Sequence, residues 1–275
     1  MYFDFPIIDI HTHLRGEIAK HTKIAKESGI GVVIYMANCN PPLDNLERIE
    51  QSLEIERHCE AVPVSAITKN LEGKELVDID KIKPFVVGFS DDGKYLEDLN
   101  LLKEVLKKGV LVMAHCSPQY ELGIKNPELE TEFIKRYLSV LEKTGGKLHI
   151  QHISKKESVD LIRDAKQQGI SITSETCPHY FTYTYKDLSV KVNPPLALDE
   201  DILAIKEGLS DGTIDVIASD YAPEPRKTGI AGFKSFIPLS YRLVLEGVLT
   251  EKQLKEKLCA NPKKIIESGG YKLNL

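Results

Sequence analysis

Short apolar runs alternate with amphipathic stretches along most of the chain. Eight such runs, each bounded by glycine, proline or charged residues, predict buried strands over residues 7–13, 31–36, 63–68, 85–90, 110–115, 147–152, 171–177 and 215–220. Between them, stretches such as 44–59, 95–108 and 154–168 have the spacing of half-buried helices. Strands that alternate with helices indicate parallel βα units. Eight units predict an α/β protein that closes into a (β/α)8 TIM barrel.

Length and composition narrow the class of protein. The 275 residues fit one barrel, which takes roughly 250, so we expect a single catalytic domain over 1–275. A net charge of −5 without a basic block argues against a nucleic-acid binder. The apolar runs are shorter than the about 20 residues of a membrane span, and the N-terminus lacks the basic region of a secretory signal. Five cysteines without paired spacing fit reduced thiols in the cytoplasm.

Histidines and an aspartate lie at the ends of four of these runs. His11 and His13 end the first, His115 and His152 end two later runs, and Asp220 ends the last. Side chains alternate along a strand, so His11 and His13 share a face. Because the carboxyl ends of barrel strands converge on one face, these ligand-type side chains are expected to meet there. The pattern predicts a metalloenzyme in which Asp220 also moves protons.

The remaining histidines are expected to be structural. His149 lies three residues before His152, so strict alternation directs its side chain toward the helices. His21, His58 and His179 are interpreted in the same way. Two aspartates follow the fourth run, and one of them is placed to bridge two metal ions, whereas Asp91 also fits a turn or a helix cap.

Three further polar residues follow strands. Arg15 lies two residues beyond His13, and a guanidinium beside a metal centre suits a substrate carboxylate. Asn38 and Asn193 lie in loops next to prolines (NCNPP and VNPPL). On pattern alone, asparagines in such loops are usually turn residues.

Taken in order, these segments resemble the dihydroorotase branch of the amidohydrolase superfamily. The similar segments cover almost the whole chain: DIHTHLR (9–15), MANCNPP (36–42), FSDDG (89–93), AHC (114–116), the strand and helix of 148–170, SETCPHYF (174–181), KVNPPL (191–196), DGTIDVIASDYAP (211–223) and GIAGFKSFIPL (229–239). A single HxH motif is weak evidence, but this ordered set is strong.

The resemblance implies a barrel with one or two Zn²⁺ ions. By position, the implied metal ligands are His11, His13, Asp92, His115, His152 and Asp220. Asp92 corresponds to the bridging aspartate that one class uses in place of a carboxylated lysine. Arg15, Asn38 and Asn193 fall on substrate contacts, and Asp220 on the residue that moves the proton. The implied reaction interconverts L-dihydroorotate and N-carbamoyl-L-aspartate in pyrimidine synthesis. A homodimer or an association with aspartate carbamoyltransferase is also expected.

Three features depart from the family pattern. Tyr221-Ala222-Pro223-Glu224 replaces His-Ala-Pro-His, whose last histidine helps to bind the substrate carboxylate. An inward-pointing Glu224 would repel that carboxylate. Losing one charge-assisted hydrogen bond costs about 1.5–3 kcal/mol of binding free energy. Arg226 or Lys227 is placed to offset this loss. Gly16 and Glu17 replace the usual Pro-Gly after Arg15. Because His11 is so near the start, the family's flanking β-domain is expected to be absent. The stretch 221–232, with Gly229 and Gly232 as hinges, is hypothesised to be a lid.

Three alternatives to a compact dihydroorotase stay open at this point. A hydantoinase-like cyclic amidohydrolase would use a carboxylated lysine where Asp92 stands. A non-catalytic, dihydroorotase-like partner of a carbamoyltransferase would tend to lose metal ligands, whereas all six positions are kept. A TatD-type metal nuclease would also carry an HxH motif on the first strand, but it would not need Arg15 or the Asn-Pro-Pro loop.

Overall fold

The computed structural model describes residues 3–117, 128–188, 190–196, 198–223 and 228–273. Within these ranges, seven segments form regular strands: β1 (Ile8–Thr12), β2 (Val32–Tyr35), β3 (Glu60–Pro63), β4 (Leu111–Ala114), β5 (Lys147–Ile150), β6 (Ile172–Thr176) and β7 (Val216–Ile217). They pair in parallel in the orders β1-β2-β3 and β4-β5-β6-β7. Six of the predicted strands each contain an observed strand. The predicted 63–68 strand shares only Pro63 with β3, which begins three residues earlier, and 85–90 is not a regular strand.

The 85–90 segment nevertheless joins the two sheets. Phe89 forms parallel bridges to Ser65 on one side and Val112 on the other. Its backbone nitrogen donates to the Leu111 carbonyl, and its own carbonyl accepts from the Met113 nitrogen. At the opposite edge, Thr12 bridges Tyr221 and closes the ring. The sheet is thus a closed barrel, as the alternation of strands and helices predicts.

Helices surround this barrel. Their bounds are α1 (Ile18–Glu27), α2 (Leu46–Glu54), α3 (Ile79–Ile82), α4 (Leu99–Lys107), α5 (Glu128–Thr144), α6 (Lys156–Gln167), α7 (Pro178–Thr182), α8 (Asp199–Asp211), α9 (Phe233–Leu245), α10 (Glu251–Lys255) and α11 (Asn261–Ser268), with a π-turn over Glu256–Ala260 and a 3₁₀ turn over Lys69–Leu71. In α4 the buried residues are Leu102, Val105 and Leu106, the three- and four-residue spacing of one helix face. None of the helices in the described ranges has the length and apolar character that a membrane span requires.

Two apolar clusters fill the molecule. The larger lies between the strands and the helices, and the smaller includes alternating residues of the strands, such as Ile8, Ile10, Val32 and Ile34. Ile265 and Ile266 of α11 join the smaller cluster. This packing holds the strands rigidly, so that their carboxyl ends can position polar side chains.

Candidate metal centre

A bulge in β1 sets the direction in which the two histidine side chains of the HxH motif point. Asp9 pairs with Val33 and Thr12 with Tyr35, so three residues of β1 span the distance of two in β2. Such a bulge changes which way the following side chains point. It lets His11 and His13 face the site although Ile10, the preceding residue, belongs to the smaller apolar cluster.

Left-handed backbone turns place three more of the predicted residues. Arg15, His152 and Asp220 have φ angles of 50°, 36° and 47°. Residues other than glycine rarely adopt this region, and each costs about 1–3 kcal/mol of strain. All three follow a strand directly or nearly so, where a sharp turn of the chain brings the side chain back over the barrel mouth. Strain of this kind is concentrated at functional sites.

The six predicted ligands come together at this end of the barrel. His11 Nε2 lies 2.7 Å from Asp92 Oδ2, and His13 Nε2 lies 2.9 Å from Asp220 Oδ1. His152 Nε2 lies 2.6 Å from His115 Nδ1. Two groups of three, His11–His13–Asp220 and Asp92–His115–His152, each have ligand atoms within 4.8 Å of one another.

The donor set fits a divalent metal ion. His11 Nε2 and Asp92 Oδ2 are both buried and have no hydrogen-bond partner, although the two atoms lie 2.7 Å apart. Buried polar atoms are almost always satisfied, so these two atoms fit a shared metal ion that both can coordinate. Imidazole nitrogens with carboxylate oxygens are a set that Zn²⁺ and neighbouring transition metals accept.

The electrostatics keep Asp92, Asp220, His115 and His152 in the forms that bind metal. Burial alone raises the pKa of Asp92 and Asp220, but the neighbouring histidine charges outweigh it, and both pKa values are lowered below the ordinary range. Burial lowers the pKa of His115, and burial with the charges of His115 and His11 lowers that of His152 to about 3. At neutral pH both carboxylates are therefore ionised, while His115 and His152 are neutral.

In three of the histidines, the second ring nitrogen also contacts a polar side chain. Asn38 Oδ1 lies 2.9 Å from His13 Nδ1, and Asn193 Nδ2 lies 3.1 Å from His115 Nε2. His11 Nδ1 lies 2.5 Å from Glu175 Oε1. The two asparagines predicted to contact substrate thus also contact ligand-type imidazoles. Such contacts fix the orientation of a metal-binding histidine, and where the partner is an oxygen acceptor, as at His11 and His13, they also fix its tautomer.

A cavity of about 520 Å³ opens over this centre. Its walls include His13, Asp92, His115, His152 and Asp220, together with Arg15, Lys94, Asn38, Asn193 and Gly229. Arg15 Nη1 donates a 2.8 Å hydrogen bond to the Asn38 carbonyl, which anchors the guanidinium at the wall. A pocket with acid–base groups at its floor and cations at its side suits a small acidic molecule.

Comparison with known proteins agrees with this geometry. The sequence profile of the amidohydrolase family matches residues 7–268. The chain belongs to the amidohydrolase family. A protein from Trichlorobacter lovleyi named dihydroorotase is 34% identical over 309 residues, which cover 96% of this chain and 73% of that protein. Another dihydroorotase, from Geotalea daltonii, is 35% identical over 94% of this chain and 72% of its own length.

A solved structure supports the fold of this family member. The L-hydantoinase (dihydropyrimidinase) from Arthrobacter aurescens superposes with a TM-score of 0.80 at 21% identity, covering 96% of this chain and 71% of that one. The resemblance to the dihydroorotase branch and the TIM-barrel fold are therefore confirmed. Proteins of this family are metal-dependent hydrolases, in agreement with the buried histidine–aspartate clusters.

Of two predictions about histidines in this amidohydrolase, the structure contradicts one and agrees with the other. His149 does not face the helices: its Nε2 lies 3.0 Å from Glu175 Oε2 inside the barrel. The prediction was wrong because β5 ends at Ile150, and the left-handed turn at His152 breaks the alternation. His21 is buried, and its Nδ1 lies 2.9 Å from the Tyr221 hydroxyl, which agrees with a structural role.

Asp91 and Tyr221 hold neighbouring loops. Asp91 accepts backbone hydrogen bonds from Ile67 and Thr68 at 2.8 and 3.0 Å, so it ties a loop rather than capping a helix. The Tyr221 ring stacks on Phe233 at 3.6 Å between centroids. The family's usual histidine at that position is thus replaced by a tyrosine packed into the core. Glu224, Arg226 and Lys227 lie outside the described residues.

Sequence reasoning missed two buried polar residues of the site. Glu175 and Gln151 both contact His11, and Gln151 also accepts a hydrogen bond from Ser90 Oγ. The signal for Glu175 was a carboxylate in the middle of an apolar run, since such a group is rarely buried without a charged or donor partner.

Proposed function

We propose that this chain is a zinc-dependent dihydroorotase, which interconverts L-dihydroorotate and N-carbamoyl-L-aspartate in de novo pyrimidine synthesis. The observation that carries the proposal is that six buried side chains of ligand type lie together, next to a cavity with an arginine in its wall. The dihydroorotase relatives, similar over more than nine-tenths of this chain, support the same substrate.

Zinc fits the proposed ligands, in one or two ions per chain. Asp92 is central, since its carboxylate oxygens lie 2.7, 3.7 and 3.9 Å from nitrogens of His11, His13 and His115. A carboxylate so placed is suited to bridge two ions. When bound, such an ion supplies Lewis acidity: it lowers the pKa of water from 15.7 to about 7 and polarises a carbonyl oxygen.

Asp220 is the proposed catalytic base and acid. Its lowered pKa keeps the carboxylate ionised at neutral pH, and it lies on the cavity wall. In the hydrolytic direction it takes a proton from the attacking water as the carbon–oxygen bond forms at the ring carbonyl. It then delivers that proton to the ring nitrogen as the carbon–nitrogen bond breaks. The reverse sequence closes the ring and releases water.

Arg15, Asn38 and Asn193 are the proposed substrate contacts. The guanidinium of Arg15 can grip a carboxylate with two hydrogen bonds. Lys94 also lines the cavity and adds a second positive charge. This charge favours an acidic ring over the neutral rings of hydantoinases, and Asp92 stands where that class uses a carboxylated lysine.

Three broader expectations stay predictions. The chain is expected to act as one catalytic domain over 1–275. It is expected to lie in the cytoplasm, because its five cysteines have no paired spacing. It is also expected to form a homodimer or to associate with aspartate carbamoyltransferase. Size-exclusion chromatography with light scattering, with and without that enzyme, tests the assembly.

A substrate comparison tests the proposed function. We expect the zinc-loaded chain to hydrolyse L-dihydroorotate in preference to dihydrouracil and hydantoin, neutral rings that retain the cyclic amide. Arg15→Met should raise KM for dihydroorotate about tenfold to a hundredfold or more, since a charge-assisted hydrogen bond contributes about 1.5–3 kcal/mol. It should leave KM for the neutral rings little changed. Faster turnover of a neutral ring by the wild-type chain would favour the hydantoinase-like alternative.

A further inference from the structure

Glu175 lies beneath the metal centre, fully buried in β6. Its two carboxylate oxygens reach different histidines: Oε1 lies 2.5 Å from His11 Nδ1 and Oε2 lies 3.0 Å from His149 Nε2. The other ring nitrogen of His149 lies 2.9 Å from Thr173 Oγ1. A continuous chain of contacts therefore runs from β5 and β6 to the HxH motif of β1.

The hydrogen bonds in this series of contacts can run in only one direction, from the imidazoles to the carboxylate. An ionised carboxylate only accepts hydrogen bonds, so His11 must donate through Nδ1. Each oxygen of Glu175 lies within hydrogen-bond distance of one imidazole nitrogen, so the carboxylate can accept from both rings at once. The other nitrogen of His11, Nε2, is then the one that faces Asp92 at 2.7 Å.

The contact with Glu175 also fixes the tautomer of His149. The ring donates through Nε2 to Glu175, so in its neutral form Nδ1 accepts from the Thr173 hydroxyl. Thr173 and His149 are register partners across β5 and β6, which anchors the ring to the barrel wall. His149 thus holds the second oxygen of Glu175, and the carboxylate cannot turn away from His11 without leaving a buried imidazole unpaired.

We propose that Glu175, held by His149, is a positioning residue that sets the tautomer and orientation of His11 for metal binding. It touches no substrate, because it lies below the cavity floor and is absent from the cavity walls. This inference rests on the proposed function only in taking His11 as a metal ligand, and it is independent of which amide is hydrolysed.

The alternative is that Glu175 is only a buried structural carboxylate. Glu130 supplies the matched control, because it is also a buried glutamate, and its oxygens accept from Ser154 N at 3.1 Å and Ser154 Oγ at 2.5 Å. Neither contact involves a proposed ligand. Glu130→Gln replaces a buried carboxyl group by the same amide without touching an imidazole.

The test measures metal binding without substrate. Glu175→Gln and Glu175→Leu are compared with Glu130→Gln by metal retention against a graded chelator and by the visible spectrum of the cobalt-substituted proteins. We expect both Glu175 variants to bind one ion about 10–100-fold more weakly and to shift the cobalt spectrum. Glu130→Gln should keep the wild-type affinity and spectrum even if it unfolds at a lower temperature.

Each outcome decides the inference. Wild-type metal affinity in Glu175→Gln, with or without a loss of stability, would overturn it, as would equal weakening in Glu130→Gln. If Glu175→Leu does not fold, the isosteric Gln variant carries the test. A wild-type chain that binds no metal would also overturn the inference, whereas one that binds metal but does not hydrolyse dihydroorotate would overturn only the proposed function.

Discussion

Gly229 fixes the loop beside the proposed catalytic aspartate. Its φ is +138°, and an added Cβ would lie 2.4 Å from the Ala222 Cβ and 2.9 Å from the Ala222 carbonyl oxygen. Both distances are well below an ordinary contact, and the two backbones are held together by a 2.9 Å hydrogen bond from Ala222 N to Ile230 O. The perturbation of choice is therefore Gly229→Ala.

Two contributions set the size of the effect. A side chain at this φ costs about 1–3 kcal/mol in backbone strain, and overpacking by one methyl group costs about 1–3 kcal/mol more. If the backbone stays in place, the free energy of unfolding falls by about 2–6 kcal/mol. If the loop moves instead, the loss is smaller, but the cavity wall formed by Ala222 and Gly229 shifts. In that case KM for dihydroorotate should rise.

Gly212→Ala is the matched control. Gly212 ends α8 with a φ of +86°, and an added Cβ would meet nothing within 4 Å. Only the strain of a left-handed residue remains, about 1–2 kcal/mol. Urea unfolding and steady-state kinetics are measured for both variants. Equal destabilisation of the two variants, together with an unchanged KM in Gly229→Ala, would refute the reasoning.

Three further predictions concern Tyr221, Glu224 and the cysteines. Tyr221→Phe should lower the free energy of unfolding by about 1–3 kcal/mol in urea titration, because His21 loses its buried partner, while KM stays unchanged. Glu224→His should lower KM for dihydroorotate by about tenfold or more, since it restores a donor to the substrate carboxylate; an unchanged KM would show that Glu224 does not face the substrate. Burial raises the pKa of all five thiols, that of Cys59 to about 12. Because the pKa values are raised, little thiolate is present at pH 8, and a disulfide reagent should react slowly with the native chain. The reaction should become faster as the pH rises, and in denaturant all five thiols should react at once. Rapid reaction of the native chain at pH 8 would contradict this.

The lid hypothesis for residues 221–232 changes in one respect. Gly229 has a backbone conformation that favours glycine, but Gly232 has a φ of −80°, which any residue adopts. Gly232 is therefore not required as a hinge. Truncation of the stretch is still expected to raise KM, and an unchanged KM would remove the hypothesis.

The barrel and the ligand positions could be predicted because each depends on a local pattern. An apolar run leads directly into each of His115, His152 and Asp220. Because the strand ends of a barrel converge, these side chains are brought together. That reasoning needs no knowledge of loop paths. It placed five of the side chains that the structure brings together at one end of the barrel, and the family resemblance added Asp92.

The remaining parts of the site depend on contacts between distant strands. Glu175 lies within β6 rather than after it, so no strand-end rule selects it. The direction of His149 depends on where β5 ends, and the bulge in β1 depends on its register with β2. Periodicity assumes regular strands, and these are the places where the strands are irregular.

The most direct test of the account is hydrolysis of L-dihydroorotate by the purified, zinc-loaded chain, with Asp220→Asn as the control. The account predicts turnover by the wild-type chain and loss of turnover in the variant, with folding retained. An inactive wild-type chain that still binds one or two zinc ions would contradict it, and so would a variant that keeps wild-type turnover.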